Sequence, residues 1–174
     1  MIASDGQATD GDISAALQPL RDLPVWVVIR LCTDDDAVVE YWNGVDAELE
    51  LDMDVLDDLC GEAAEVNGFS PWLTYGAPLH RLREWGTSAK ILDLLDERAL
   101  GRGELLELVK FILGEPARSL PHPQLDWPGF LAQLDVLQKQ AGEVWCPARS
   151  RNRPWFSMAK LKQSYGSTGI CVVS

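Results

Sequence analysis

The chain of 174 residues is 47% hydrophobic with a formal net charge of −12, which indicates a globular protein with a sizeable core. An acidic surface repels phosphate, so nucleic acid is not an expected partner, and no apolar stretch approaches the ~20 residues that cross a bilayer. Neither a signal-peptide pattern nor a Cys-x-x-Cys pair occurs, so we expect a cytoplasmic protein with reduced, buried thiols and no membrane partner.

The first third of the chain alternates between strand and helix patterns. A short apolar run at residues 1–4 predicts a strand that is followed by Asp5. Apolar residues at helical spacing over 13–23 predict a helix, which Pro24 ends. The nearly continuous apolar run over 25–31 is typical of a central parallel strand that is covered on both faces.

Three more elements complete this unit. A helix is predicted over 36–45, and the strict alternation over 48–55 predicts an edge strand with one face in water. A helix over 56–66 follows. Strands and helices that alternate with short connections favour a parallel sheet with right-handed crossovers. The expected fold class is therefore α/β, with a partial doubly wound parallel sheet of about three strands in residues 1–67.

This order of elements resembles the C-terminal half of a von Willebrand factor A-type domain. The resemblance rests on Ile2-Ala3-Ser4-Asp5-Gly6 with Asp10 downstream, followed by the strand patterns at 25–31 and 49–56. It covers residues 1–67. It implies a non-catalytic protein-interaction module, with a divalent cation at the carboxyl edge of the sheet.

The cation site that the resemblance implies is incomplete in this sequence. Family members build it from an Asp-x-Ser-x-Ser loop, a Thr loop and a late Asp-Gly loop, and only the last matches, at Asp5. Asp-x-Ser-x-Ser does not occur, and the nearest string, at 12–16, ends in Ala. Magnesium requires near-octahedral oxygen ligation, so we expect no cofactor beyond weak magnesium at Asp5 and Asp10. The alternative role of Asp5 is to cap the next helix.

Two other functions stay open beside the interaction module. One is a metal-dependent enzyme that uses Asp5 and Asp10, and the other is an acidic structural scaffold. The catalytic patterns elsewhere are isolated: Cys60 with His80 has no supporting motif, and the Ser157-x-x-Lys160 string lacks its companion Lys-Thr-Gly. We therefore do not expect an enzyme.

Charge is distributed unevenly along the chain. Residues 34–65 contain thirteen acids and no Lys or Arg, whereas residues 144–174 contain five bases and no acid. The acids are expected to form a solvated face, or to receive a protein partner that is basic. We expect the tail, 144–174, to fold back with its aromatic residues buried and its bases near acids. The alternative is a free basic arm.

Residues 68–143 predict a helical extension. Helices are expected near 79–85, 91–95, 105–113 and 127–141, with Gly142 as the stop of the last one, and a final helix at 155–165 lies in the tail. Trp85 should face inward with Leu79 and Leu82, as a core anchor. A small sheet with an open apolar edge is an aggregation hazard, so we expect an oligomer or a segment that precedes Met1.

Overall fold

The computed structural model describes residues 1–9, 11–33, 35–49 and 51–166. The chain forms two compact units, each of which is discontinuous in sequence. The first unit consists of Met1–Glu62 and Ala77–Lys90, and the second consists of Ala63–Gly76 and Ile91–Ser174. The described chain contains a three-stranded parallel sheet and eight α-helices, which confirms the predicted α/β class.

The sheet of the first unit has three short strands: β1 (Ile2–Ser4), β2 (Val27–Leu31) and β3 (Met53–Leu56). Their order is β1-β2-β3, and both pairings are parallel. Ile29 in the middle of β2 pairs with Ile2 on one side, and its side chain is fully buried. The apolar run at 25–31 thus forms the central strand, as predicted.

The helices on one face of this sheet are α1 (Ile13–Leu17) and α2 (Asp36–Leu49). The predicted helix over 13–23 changes to a 3-10 helix at Gln18–Asp22, where Pro19 removes a backbone donor. Together with the sheet, the two helices enclose one apolar cluster. Its buried members are Leu17, Val27, Ile29, Leu31, Val38, Trp42, Val45, Leu49 and Met53.

The opposite face of the sheet carries polar side chains that are buried. Helix α3 (Leu59–Phe69) begins in the first unit and continues in the second, and α4 (Ala77–Glu84) contacts β2 and β3. The prediction of a wet face on the third strand is wrong, because Asp54 in β3 is 9% exposed. An edge position for this strand is confirmed.

The second unit is mainly helical. Its core is formed by leucine, aromatic and valine side chains, including the fully buried Leu105, Phe130 and Leu134. Gly142 adopts a positive φ of 81° and ends the helix Trp127–Ala141, as predicted. The helices are α5 (Lys90–Glu97), α6 (Arg102–Leu113), the 3-10 helix Glu115–Ser119, α7 (Trp127–Ala141) and α8 (Met158–Tyr165).

A hairpin that the sequence patterns do not predict follows α7. Strands β4 (Glu143–Cys146) and β5 (Arg151–Pro154) pair in antiparallel orientation. The turn between them is the 3-10 helix Pro147–Arg149 followed by Ser150, which has a left-handed backbone with φ of 48°. Residues on both sides of Ser150 are therefore held by main-chain pairing.

The tail after residue 143 is an integral part of the second unit. Phe156 forms a β-bridge with Leu73 and is 1% exposed. Trp145, in contrast, is half-exposed, so the prediction of buried tail aromatics holds for Phe156 and is wrong for Trp145. Residues 167–174 of the tail lie outside the described residues. None of the described helices combines the length and the apolar composition needed to span a bilayer.

Candidate functional site

The loop after β1 contains the first of the two predicted metal ligands. Asp5 is exposed there, and the loop is fixed by the Nε1 of Trp42, which donates to the carbonyl of Gly6 at 3.1 Å. Asp10, the second predicted ligand, lies outside the described residues. The residue that caps α1 is Asp12, whose carboxylate accepts from the amides of the first turn, so the capping role suggested for Asp5 is wrong.

A buried ion network lies on the α4 side of the sheet. The Nη1 of Arg83 in α4 donates to Oε2 of Glu62 at 2.7 Å, and its Nη2 donates to Oδ1 of Asp54 at 2.9 Å. Oε1 of Glu62 also accepts from the backbone N–H of Asp57 at 3.0 Å. The Arg83 side chain is only 2% exposed. Buried charges need such partners, so this network joins α4 to β3 and serves structure.

A second network lies beside the first. The Nε of Arg30 in β2 donates to Oε1 of Glu84 at 2.8 Å, and its Nη1 donates to the carbonyl of Asp57 at 2.7 Å. The Nε2 of His80 lies 3.4 Å from the same Glu84 oxygen. His80 is 4% exposed, and burial lowers its pKa below 6.5 although Glu84 acts in the opposite direction. The imidazole is therefore neutral at neutral pH.

The groove beside this network is the candidate functional site of the first unit. It has a volume of about 380 Å³ and is formed by alternate residues of the β2 segment and by the end of α4. The helix ends at Glu84 and the chain turns at Gly86, which has a φ of +73°, and the Thr87 amide donates to the Leu82 carbonyl at 3.1 Å. The lining residues are Met1, Trp26, Val28, Arg30, Glu84, Trp85 and Gly86.

Gly86 brings the end of α4 close to the sheet. A Cβ at this position would lie 3.4 Å from Cδ1 of Trp26 and 3.7 Å from Cγ2 of Val28. The indole Nε1 of Trp26 is buried and makes no hydrogen bond with the described residues. Trp26 is therefore held by packing, as one wall of the groove.

Trp85 has the opposite environment from the one that its spacing predicts. Its side chain is 87% exposed, and Leu82, one turn earlier, is 39% exposed, whereas Leu79 is buried. The prediction that Trp85 faces the core is wrong, because the helix ends at Glu84 and the chain turns at Gly86. The glycine at position 86 is visible in the sequence, and it is the signal that the inward-facing side of the helix ends before Trp85.

The net charge of the protein belongs entirely to the unit that contains this groove. The first unit has seventeen acids and five bases, a net charge of −12, and the second unit has ten of each. Asp54 and Glu62 are paired internally with Arg83. The exposed carboxylates described between residues 34 and 65 of this unit are Asp35, Asp36, Glu40, Glu48, Asp52 and Asp58.

In comparisons with known proteins, no family model, no curated protein and no solved structure matches this chain. The resemblance to a von Willebrand factor A-type domain accordingly stays a prediction.

Proposed function

We propose that the first unit is a non-catalytic protein-interaction module, which binds a basic and partly apolar segment of a partner protein against Trp85. This role agrees with the one implied by the von Willebrand factor A-type resemblance, but the contact lies at the groove beside α4 and not at the Asp5 loop. The observation that carries the proposal is the 87% exposure of Trp85 beside that groove.

An exposed tryptophan at the rim of a groove is a suitable anchor for a partner. Tryptophan is among the residues that dominate binding energy at protein interfaces, where single side chains contribute about 2 kcal/mol or more. Met1, which also lines the groove, is 76% exposed. Apolar side chains grouped at a concave surface mark an interaction site more strongly than scattered ones do.

The charge of the unit selects the chemistry of the partner. A net charge of −12 on the first unit creates a field that attracts basic segments and repels acidic ones. The groove's own charges, Arg30 and Glu84, are already paired with each other. We therefore assign apolar anchoring to Trp85 and charge selection to the exposed carboxylates of the unit.

Free thiols support a cytoplasmic location as part of the proposal. Cys32, Cys60 and Cys146 form no disulfide with one another, and the first two are exposed, so the prediction of buried thiols is wrong for them. Exposed thiols persist most readily where glutathione and thioredoxin keep them reduced.

The proposal is tested with two synthetic peptides of equal length, one of leucine and lysine and one of leucine and glutamate. Calorimetric titration into the full chain should give saturable binding of the lysine peptide alone. Trp85→Ala should weaken that binding at least about tenfold, the loss expected for a hot-spot residue. Trp145→Ala is the matched control, because Trp145 is a half-exposed tryptophan of the second unit, and it should bind as the wild type does.

Two results would contradict the proposal. If Trp85→Ala and Trp145→Ala bind the lysine peptide equally, the attraction is a general effect of charge and the groove has no role. If neither peptide gives a saturable isotherm, the acidic surface acts only as a structural scaffold.

A further inference from the structure

We infer that the second unit contains a binding site for a small phosphate ester, in a pocket that residues 63–75 form with the hairpin of β4 and β5 and the start of α8. The pocket has a volume of about 340 Å³. Arg149, Arg153 and Lys160 line it, and none of the described residues that line it is a carboxylate. This inference concerns the second unit alone, and it does not depend on the function proposed for the first.

The three bases at the pocket differ from other bases of the same unit. The second unit has ten acids and ten bases, so its composition does not favour a purely basic cavity. The ion pairs of its described part include Arg98–Glu104, Arg118–Glu115 and Lys139–Asp135. None of them involves a base of the pocket. Three cations that border one cavity, with no carboxylate among its described lining residues, repel each other, and an anion in the pocket relieves that repulsion.

The backbone around the pocket is held by hydrogen bonds between distant parts of the chain. The amide of Thr74 donates to the carbonyl of Trp155 at 2.9 Å, and its hydroxyl donates to the carbonyl of Pro154 at 2.7 Å. The amide of Ser157 donates to the carbonyl of Trp72 at 2.7 Å. Trp72, Thr74 and Ser157, which make these hydrogen bonds, all line the pocket. The site is thus formed before a ligand arrives, which lowers the entropic cost of binding.

A buried aromatic pair lies next to these links in the chain. The ring of Trp72 stacks on that of Phe156 with 6.3 Å between centroids, and both side chains are 1% exposed. The amide of Phe156 also donates to Oε1 of Gln138 at 3.0 Å. This packing fixes the positions of Arg153 and Lys160, which lie three and four residues from Phe156 along the chain.

Neutral polar groups complete the lining. Asn67, Thr74 and Ser157 are among the residues that border the pocket. Ser157 is also the N-cap of α8, and its hydroxyl accepts from the amide of Lys160 at 3.5 Å. The helix therefore begins at the pocket, and its N-terminal dipole adds to the positive potential of the bases.

The chemistry of these groups suits a phosphate group. Guanidinium groups bind two oxygens of a phosphate or carboxylate in parallel, and an ammonium adds a compact point charge. A volume of about 340 Å³ is near the lower end of small-molecule sites, which span roughly 300–1,000 Å³. That size fits a phosphate ester with a small organic group.

The test uses pyrophosphate as the probe, titrated into the full chain at low ionic strength, with citrate as the carboxylate counterpart. Pyrophosphate should bind at one site, and citrate should bind more weakly. Lys160→Gln and Arg153→Gln should each weaken pyrophosphate binding at least about tenfold, as expected when a charge-assisted hydrogen bond is lost. Lys162→Gln and Arg151→Gln are matched controls: they remove the same charge from the same elements, at residues outside the pocket lining.

A measurement on the wild-type chain keeps the inference testable if the variants do not fold. In amide NMR spectra, pyrophosphate should shift the signals of Ser157 and Lys160 and leave those of α6 unchanged. The inference is overturned if pyrophosphate does not saturate, if citrate binds more tightly, or if Lys162→Gln weakens binding as much as Lys160→Gln does.

Discussion

Arg83 and Asp54 form a two-point ion pair inside the first unit. The Nη2 of Arg83 donates to Oδ1 of Asp54 at 2.9 Å, and its Nε donates to Oδ2 at 3.2 Å. Both side chains are shielded from water, and Arg83 also contacts Glu62. One guanidinium thus neutralises two carboxylates from different elements, β3 and α3, and connects both to α4.

Replacing Arg83 with methionine should destabilise the first unit strongly. The substitution leaves the Asp54 and Glu62 carboxylates buried without their cation, and breaking a buried ion pair on one side costs about 3–5 kcal/mol. Urea unfolding measures the loss in the free energy of unfolding. Arg81→Met is the control, since Arg81 lies on the same helix and is exposed. A loss of under about 1 kcal/mol for Arg83→Met, typical of a surface pair, would show that the network contributes little.

His80 should make the stability of the first unit depend on pH. Burial holds its pKa below 6.5 in the folded state, so as pH falls the unfolded chain takes up a proton on His80 before the folded protein does. The free energy of unfolding therefore decreases as pH falls from about 7.5 to about 5.5, a range in which carboxylates stay ionised. Urea unfolding at the two pH values measures the change.

The matched variants for this prediction are His80→Gln and His122→Gln. His80→Gln should reduce the difference in the free energy of unfolding between the two pH values. His122→Gln leaves His80 in place and should keep that contribution. A wild-type protein that becomes more stable at the lower pH would contradict the assignment.

The order of the sheet was predictable because it depends on a local property of the sequence. The apolar run at 25–31 has no polar face until Arg30, which restricts it to the central position that β2 occupies. The burial of the polar face of β3 was not predictable in the same way. Alternation identifies Asp54 as a residue of the second face, but its burial depends on Arg83, which is 29 residues away.

Both candidate sites depend on contacts that no local pattern contains. Trp85 continues the three-residue spacing of Leu79 and Leu82, so periodicity alone assigns it to the core, and only the turn at Gly86 exposes it. The pocket of the second unit combines residues 63–75 with residues 146–160. Its hairpin has the sequence Arg-Asn-Arg-Pro in one strand, which lacks the β-branched residues that usually predict strands.

Magnesium binding should not depend on Asp5. Only one carboxylate of the predicted site is described in the loop after β1, and magnesium requires several oxygen ligands in octahedral geometry. Calorimetric titrations of magnesium into wild type and Asp5→Ala should therefore be indistinguishable. Asp12→Ala serves as the control, because it removes a nearby carboxylate that caps α1. A saturable one-to-one isotherm that Asp5→Ala abolishes would instead establish a cation site at this loop.

Gln138 should be important for the stability of the second unit. Its side-chain carbonyl accepts from the buried amide of Phe156, so Gln138→Leu leaves that donor without a partner, at a cost of about 1–3 kcal/mol. Trypsin should then cut the variant faster after Lys160 and Lys162 than it cuts the wild type. The increase in rate should be the same at ~0.5 M salt, where exposed charges are screened. Gln140 is an exposed residue on the same helix, and trypsin should cut the Gln140→Leu variant at the wild-type rate. Equal rates for the two variants would contradict this role.

The most direct test of the interaction function observes Trp85 itself. The chain contains seven tryptophans, so labelling with 5-fluorotryptophan gives one ¹⁹F NMR signal for each, and the variants Trp85→Phe, Trp26→Phe and Trp145→Phe identify three of them. On addition of the leucine–lysine peptide, we expect the signals of Trp85 and Trp26, which share the groove, to shift in a saturable manner, while the signal of Trp145 stays unchanged. A saturable shift of Trp145 with Trp85 and Trp26 unchanged, or no shift of any tryptophan, would contradict the assignment of this groove as the binding site.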